Sequence, residues 1–312
     1  MDNVTNVHRP PNGYPVTSSA TTTTVATQRF SYQVEHPEPP DLLISNDSFP
    51  TLEEIEATGR LLFQQCNTRV HLLPNNTIVK YGPYIFIEEA ATLQFLNRHR
   101  PNLLAPRLYG VRTQHGPVLD QEGYTGRDAL QTCIFMSYVP GESLAALVPT
   151  MDEATMSTIA AEIKLEVNNL RSLPAEGYIG SVNRGQCLDV LFRPVPNGTR
   201  GPFESEREMN EYLIDFLYPT GKPAFKYRLL GLMNAERHDI YFTHGDLVPR
   251  NILIKDGHLS GIVDWAMAGW YPAYWEFVRA CSHRGNDDWY KHVEKILEPD
   301  YARWLLYLQL SR

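Results

Sequence analysis

The sequence predicts an α+β protein built as two lobes, and three observations lead there. Short strand-forming segments gather in the first half of the chain. From Met151 onward the apolar residues take up helical spacing instead. The length of 312 residues, 43% hydrophobic and 11% aromatic, supplies apolar material for roughly two domains or lobes.

Taken in order, residues 1–45 carry the run Thr21-Thr22-Thr23-Thr24 and Pro37-Glu38-Pro39-Pro40 with no periodic apolar residues, which predicts a disordered Thr/Pro-rich tail. Order begins near Thr51, where Thr51 and Glu54 make a capping-box pattern for a helix running through Leu62. Strands follow at Thr68 to Leu73 and Thr77 to Tyr81, turned by Pro74-Asn75-Asn76. Ile87 to Arg98 carries Ala91, Phe95 and Leu96 at helical spacing, and Cys133 to Val139 reads as an apolar strand ending at Pro140-Gly141. Between Met151 and Leu173, Ile159, Ile163, Val167 and Leu170 place one face of a long helix against a core. A Gly/Pro/Asn-rich connection from Gly177 to Pro202 leads to an acidic helix near Glu204. A strand pair at Ile252 to Ile254 and Gly261 to Val263 comes next.

Composition excludes several classes. With 28 Lys plus Arg against 36 Asp plus Glu, the net charge of −8 has the wrong sign for a nucleic-acid binder. No apolar run approaches the roughly 18–20 residues of a membrane span, and the N-terminus lacks a secretory h-region, so a soluble cytoplasmic protein is expected. Cys66, Cys133, Cys187 and Cys281 are far apart with no CxxC or zinc spacing, and are expected as buried free thiols.

Chemistry concentrates in Thr243-His244-Gly245-Asp246-Leu247-Val248-Pro249-Arg250-Asn251-Ile252, followed by Gly261-Ile262-Val263-Asp264-Trp265. Phosphoryl transfer from a nucleotide needs a carboxylate that orients the attacking hydroxyl and accepts its proton, and oxygen ligands that hold Mg²⁺ on the phosphates. Asp246 suits the first task, Asn251 and Asp264 the second. The step from Asp246 to Asn251 matches the loop H-R-D-x-x-x-x-N, with Gly245 in the Arg position.

These residues, with Gly269-Trp270-Tyr271-Pro272-Ala273-Tyr274-Trp275-Glu276, resemble the signatures of the aminoglycoside phosphotransferase and choline kinase superfamily of the protein-kinase-like fold, and within it a fungal small-molecule branch. The resemblance covers about residues 50 to 310. It implies a small β-rich N-lobe over 46–138 that binds nucleotide, and a larger helical C-lobe over 139–312 with the catalytic loop and acceptor pocket. It further implies ATP and Mg²⁺, and a small-molecule hydroxyl acceptor as partner. Ile78-Val79-Lys80 resembles the strand whose Lys contacts the α- and β-phosphates, and Glu89 the helix Glu that positions it, with Glu88 the competing choice. The stretch from Phe135 to Leu144 resembles the hinge, where the backbone of Ser137 and Val139 would bond adenine. No G-x-G-x-x-G precedes Lys80, so Asn67-Thr68-Arg69 must serve as the phosphate loop. Many kinases place a Lys two residues after the catalytic Asp, where this chain has Val248. Arg250, at the spacing of the tyrosine-kinase loop D-L-A-A-R-N, could supply that cation, or pair with a nearby carboxylate and only shape the loop.

Blander explanations stand beside these. His244 is expected to pack and bond backbone, and Trp265, Trp270, Tyr271, Tyr274 and Trp275 to be core. Glu204, Glu206, Glu208, Glu211 and Asp215 could attract a cationic acceptor or form a solvated helix face, and Asp287-Asp288-Trp289 is equally ambiguous. Gly141-Glu142-Ser143-Leu144-Ala145 also fits a hydrolase elbow with Asp264 and His283 following, but the strands such a sheet needs are too few. A nucleotide-binding pseudokinase scaffold would be expected to have lost Lys80, Asp246, Asn251 or Asp264. A protein kinase would need a longer segment between Asp264 and Glu276.

Overall fold

The computed structural model describes Leu42, Ser45 and residues 47–65, 67–120, 123–189, 191–192, 200–282 and 287–310. Apart from Leu42 and Ser45, the expected tail lies outside these residues, as do Cys66 and His283. The Thr51 hydroxyl accepts the Glu54 N–H and the Glu54 carboxylate accepts the Thr51 N–H at 2.7 Å, the capping box that opens α1 (Leu52–Thr58). The helix stops at Gly59, short of the expected Leu62. Arg60 onward is instead drawn into β1 (Arg60–Gln65) by antiparallel pairing with β2 (Thr68–Leu72), so tertiary pairing overrides local helix propensity.

β3 (Thr77–Gly82), α2 (Ile87–His99), β4 (Leu108–Asp120) and β5 (Gly123–Ser137) complete the first lobe. Its five strands are antiparallel in the order β1-β2-β3-β5-β4, with Lys80 of β3 opposite Ile134 of β5. Helix α2 is wedged between the lobes. Phe95 stacks on Phe242 at 5.5 Å and meets Trp270 edge-on at 6.3 Å, while the Ile262 N–H donates to the Leu104 carbonyl at 2.7 Å.

The second lobe runs through β6 (Glu142–Ser143), α3 (Leu144–Leu147), α4 (Glu153–Arg171), α5 (Glu206–Leu217) and α6 (Pro223–Met233). It continues with β7 (Ile240–Thr243), β8 (Ile252–Lys255), β9 (His258–Ile262), β10 (Gly269–Pro272), α7 (Trp275–Ala280), α8 (Asp287–Ile296) and α9 (Tyr301–Leu310). The expected strand pair is β8–β9, turned by Asp256-Gly257 with φ of +53° and +81°, both in the left-handed region that a two-residue hairpin loop requires. Ile159, Ile163, Val167 and Leu170 of α4 are buried, as their spacing predicts. They share one core with Leu93, Val111 and Ile134 of the first lobe. Trp265, Trp270, Tyr271, Tyr274 and Trp275 are buried as well. Cys133, Cys187 and Cys281 are buried free thiols. Among the described residues no helix is long and apolar enough to cross a membrane.

Candidate functional site

Strand β7 delivers the chain to the loop 244–251, and α7 fixes the loop from beneath. The Glu276 carboxylate, 2% exposed, accepts the His244 N–H at 2.7 Å and the Gly245 N–H at 3.0 Å. Burial pushes the Glu276 carboxyl up, against the pull of His244 and of these two amide bonds. Gly245 has φ +77°, and a Cβ there would lie 2.6 Å from the Met267 carbonyl oxygen, so the position that holds Arg in the protein-kinase loop has no room for a side chain.

His244 is buried beside this anchor. Its Nδ1 accepts the Asp246 N–H at 3.2 Å, so the ring proton sits on Nε2, which donates to the Val263 carbonyl at 3.1 Å. Both ring nitrogens are committed to backbone, which is the structural role expected for it. The Asp246 carboxylate is buried, and its Oδ2 accepts Asn251 Nδ2 at 2.8 Å and Arg250 Nη2 at 2.6 Å. Asn251 Nδ2 also donates to the Asp246 carbonyl at 2.9 Å. With its NH₂ used on the loop, Asn251 keeps the carbonyl Oδ1, a hard oxygen donor, for other work.

Across the cleft, Lys80 Nζ donates to Glu89 Oε2 at 2.7 Å and to Asp264 Oδ1 at 2.6 Å. Burial works against the Lys80 ammonium, but the charges of Glu89 and Asp264 and its bonds to both outweigh this and hold its pKa above the ordinary lysine value. Glu89, not Glu88, is the partner. Asp264 adopts φ +65°, a conformation uncommon outside glycine, and its side chain is 41% exposed. The sites predicted at positions 80, 89 and 264 thus meet at one point, and the loop residues Asp246, Arg250 and Asn251 meet at another.

The residues expected as phosphate loop and hinge already make contacts of their own. Thr68 begins β2 opposite Gln65, and the Asn67 carbonyl lies so close to Gly82 that a Cβ there would sit 2.2 Å from it. Asn67 Oδ1 is buried without a hydrogen-bond partner. Arg69 pairs with Glu56 through Nη1 at 2.7 Å, while its Nε is buried without a hydrogen-bond partner. The Ser137 N–H donates to the Arg107 carbonyl at 2.8 Å, so only its carbonyl side remains for adenine. Val139 packs its side chain against Gly261, where a Cβ would lie 2.6 Å from Val139 Cγ1.

The acids of α5 have hydrogen-bond and ion-pair partners of their own. Glu206 accepts the His238 N–H at 3.1 Å and contacts His238 Nδ1 at 3.0 Å, Glu208 accepts the Glu204 N–H at 2.8 Å, Arg207 pairs with Glu211 and Lys226 with Asp215. Ser143, the nucleophile position of the elbow reading that the sequence disfavoured, is a helix cap. Its hydroxyl accepts the Ala145 N–H at 3.3 Å and donates to the Pro249 carbonyl at 3.2 Å. All strand pairs among the described residues are antiparallel, unlike a hydrolase sheet.

Sequence reasoning assigned no role to Glu276 or to the buried pair Asp189–Arg279. The Asp189 carboxylate lies 2.5 Å from Arg279 Nε, accepts Trp275 Nε1 at 3.3 Å and caps the Leu191 N–H at 2.9 Å, tying the connection after Gly177 to α7. The available signal was a charge inside a run of buried aromatic residues, which demands a partner. Glu276→Ala is expected to strand two buried amides at about 1–3 kcal/mol each. Denaturant unfolding checks this, with Glu276→Gln losing less because one acceptor survives.

The sequence model of the phosphotransferase enzyme family matches residues 86–307. The chain belongs to that family. An aminoglycoside 3'-phosphotransferase of Niallia circulans is 31% identical to this phosphotransferase-family chain over 150 residues, 45% of the chain and 53% of the relative. The match therefore spans about half the length of that curated relative. Among solved structures, a thermostable mutant of aminoglycoside phosphotransferase APH(4)-Ia in ternary complex with AMP-PNP and hygromycin B superposes with TM-score 0.54 at 11% identity, covering 81% of this chain and 84% of that one. ADP-bound aminoglycoside phosphotransferase APH(2'')-Ib gives 0.50 at 13% identity, covering 80% and 77%. These likenesses show the fold of the phosphotransferase-family chain, a two-lobed protein-kinase-like architecture with a small antiparallel N-lobe and a helical C-lobe.

Proposed function

We propose that the chain is an ATP-dependent phosphotransferase that moves the γ-phosphoryl group to a hydroxyl of a small molecule. The observation that carries this reading is the convergence of Lys80 on Glu89 and Asp264, the latter 184 residues away in sequence, beside a loop that presents Asp246 and Asn251. In this reading Lys80 holds the α- and β-phosphates, positioned by Glu89. Asn67 and Thr68 border the phosphates, and Ser137 and Val139 border the adenine. Residues 46–138 form the nucleotide-binding lobe, and 139–312 carry the catalytic loop and the acceptor pocket.

The donor set at Asn251 and Asp264, a carbonyl and a carboxylate, fits Mg²⁺. Among the described residues no group of three or more His, Cys, Asp or Glu side chains could hold a metal, so these two would leave further positions to phosphate oxygens and water. When bound there, Mg²⁺ neutralises charge on the β- and γ-phosphates. Asp246 orients the acceptor hydroxyl and takes its proton as the new O–P bond forms and the bond to the ADP oxygen breaks. Arg250 supplies positive charge to the transferred group.

A small acceptor is favoured over a protein because β10, paired with β7, and buried aromatic side chains fill the stretch from Asp264 to Glu276. The names of the similar proteins point to aminoglycosides as one acceptor class to try. The reaction draws on ATP, which suits a cytoplasmic protein. The test is an ATP-consumption screen over choline, ethanolamine, aminoglycosides, sugars and homoserine. Mg²⁺-dependent ADP formation with a member of the panel is expected, and a chain that binds no nucleotide by calorimetry would sink the assignment.

A further inference from the structure

Between the C-terminal half of α2 and the start of β4 lies a cavity of about 600 Å³, a size suited to a small molecule, whose lining includes Asn97, Arg98, Arg107, Tyr109 and Ser137. It is distinct from the cleft at Lys80. Glu89, the partner of Lys80, precedes Arg98 on α2, and at about 100° per residue the two stand on opposite faces of the helix, roughly 13 Å apart along its axis. No Asp or Glu is among the described residues that line the cavity, and neither the Arg98 nor the Arg107 guanidinium has a hydrogen bond or ion pair to another described residue. In a chain of net charge −8, two guanidiniums on one cavity with no carboxylate beside them make a local excess of positive charge.

The frame that carries the two arginines is held on both sides. Asn97 donates through Nδ2 to the Pro106 carbonyl at 3.1 Å and accepts the Leu108 N–H through Oδ1 at 2.7 Å, which ties α2 to β4. Ser137 Oγ accepts the Arg107 N–H at 2.9 Å, so its own hydroxyl proton remains for an acceptor. Arg98 has one local reason for its charge, the negative end of α2. That end is covered by other groups, because the Arg100 N–H donates to the Leu96 carbonyl at 2.7 Å and His99 Nδ1 to the Phe95 carbonyl at 2.9 Å. Arg107, between α2 and β4, has no helix end to serve.

We propose that Arg98 and Arg107 form a binding site for a small organic phosphate, separate from the nucleotide cleft. A phosphate group takes charge-assisted, bidentate hydrogen bonds from guanidinium forks, and the Ser137 hydroxyl adds a third donor. The exposed Tyr109 ring offers the organic part an apolar face, which an inorganic ion cannot use. Because the backbone on both sides is already tied, the ligand has only side chains to order. The site stands whether or not the cleft transfers phosphoryl groups.

Calorimetry with phenyl phosphate, glycerol phosphate, inorganic phosphate and phenol provides the test. At least one of the two organic phosphates is expected to bind at millimolar concentration, inorganic phosphate more weakly, and phenol not at all. Arg98→Gln and Arg107→Gln are each expected to weaken the organic phosphate roughly tenfold, as loss of a hydrogen bond to a charged group does, and the double variant to abolish binding. Both side chains are exposed, so melting temperature and Mg²⁺–ADP affinity are expected to stay as they are. Arg98→Lys and Arg107→Lys keep the charge without the fork and are expected to fall between wild type and the Gln variants. Lys80→Ala, which removes the ammonium of the nucleotide cleft, is expected to leave phosphate binding unchanged. Binding that is lost in Lys80→Ala and kept in the double Gln variant would put the phosphate in the cleft and overturn the proposal. Equal affinity for inorganic phosphate would mean an ion site only and overturn it too, as would no binding of either organic phosphate. A chain that binds an organic phosphate through Arg98 and Arg107 but no nucleotide removes the phosphotransferase reading and leaves this site standing.

Discussion

Asp246→Asn is expected to lower kcat by roughly 10²- to 10⁴-fold, the range for loss of a general base, with Mg²⁺–ADP affinity unchanged. Asn preserves the shape of the side chain. Its carbonyl oxygen can still accept Asn251 Nδ2, now 2.8 Å from Asp246 Oδ2, so the loop keeps its brace. The amide cannot take a proton at neutral pH, and the hydroxyl of the acceptor then has to attack without one being removed. Because the Glu276 anchor lies at the backbone of His244 and Gly245, the loop's position does not depend on the Asp246 charge. Steady-state kinetics with the acceptor found by screening, paired with ADP titration, provides the measurement. Full turnover in this variant would remove Asp246 as the base.

What the sequence made legible follows from which interactions are local. The capping box at Thr51, the strand pair after Asn251 and the four buried positions of α4 are set by neighbours a few residues away, and their outlines could be read directly. The loop from His244 to Asn251 was legible for the same reason, since its acid and amide are joined through a five-residue spacing. Elements that exist only through distant pairing were not. The hairpin β4–β5 is rich in Gly and polar residues and carries Pro117, and only its apolar end from Cys133 announced a strand. The rest is held by cross-strand bonds, whose partners a strand pattern does not name.

Side-chain commitments show the same limit. Arg69 sits where a phosphate-binding residue was sought, yet Glu56, on a helix before the strand pair, claims it at 2.7 Å. The α5 acids carry a charge pattern open to two meanings, and it does not name partners as remote as His238, which contacts Glu206. The direct bond of Lys80 to Asp264 was not foreseen, because the resemblance gave the two residues separate tasks and nothing in the composition of either segment links positions 184 residues apart.

Asp264→Ala is expected to cut Mg²⁺-dependent nucleotide affinity roughly 100-fold or more, since a hard cation loses a carboxylate ligand that also bears on the phosphates. Two further effects accompany the change and have to be separated from it. Lys80 loses one of the two carboxylates that hold its ammonium, though Glu89 remains at 2.7 Å. Ala also has to adopt φ +65°, a region that Asp and Asn tolerate better than residues without a short polar side chain. Asp264→Asn controls for both backbone and shape, because the amide keeps an oxygen for Lys80 and suits the left-handed conformation while removing the charge. Calorimetry of ADP and AMP-PNP with Mg²⁺ and with EDTA is then decisive. If the metal-dependent part of the affinity collapses in both variants while binding in EDTA moves by less than the strain and the Lys80 contact account for, Asp264 holds the metal. Undiminished Mg²⁺–nucleotide affinity in Asp264→Asn and Asp264→Ala alike would leave the Asp264 carboxylate as a brace for Lys80 and nothing more.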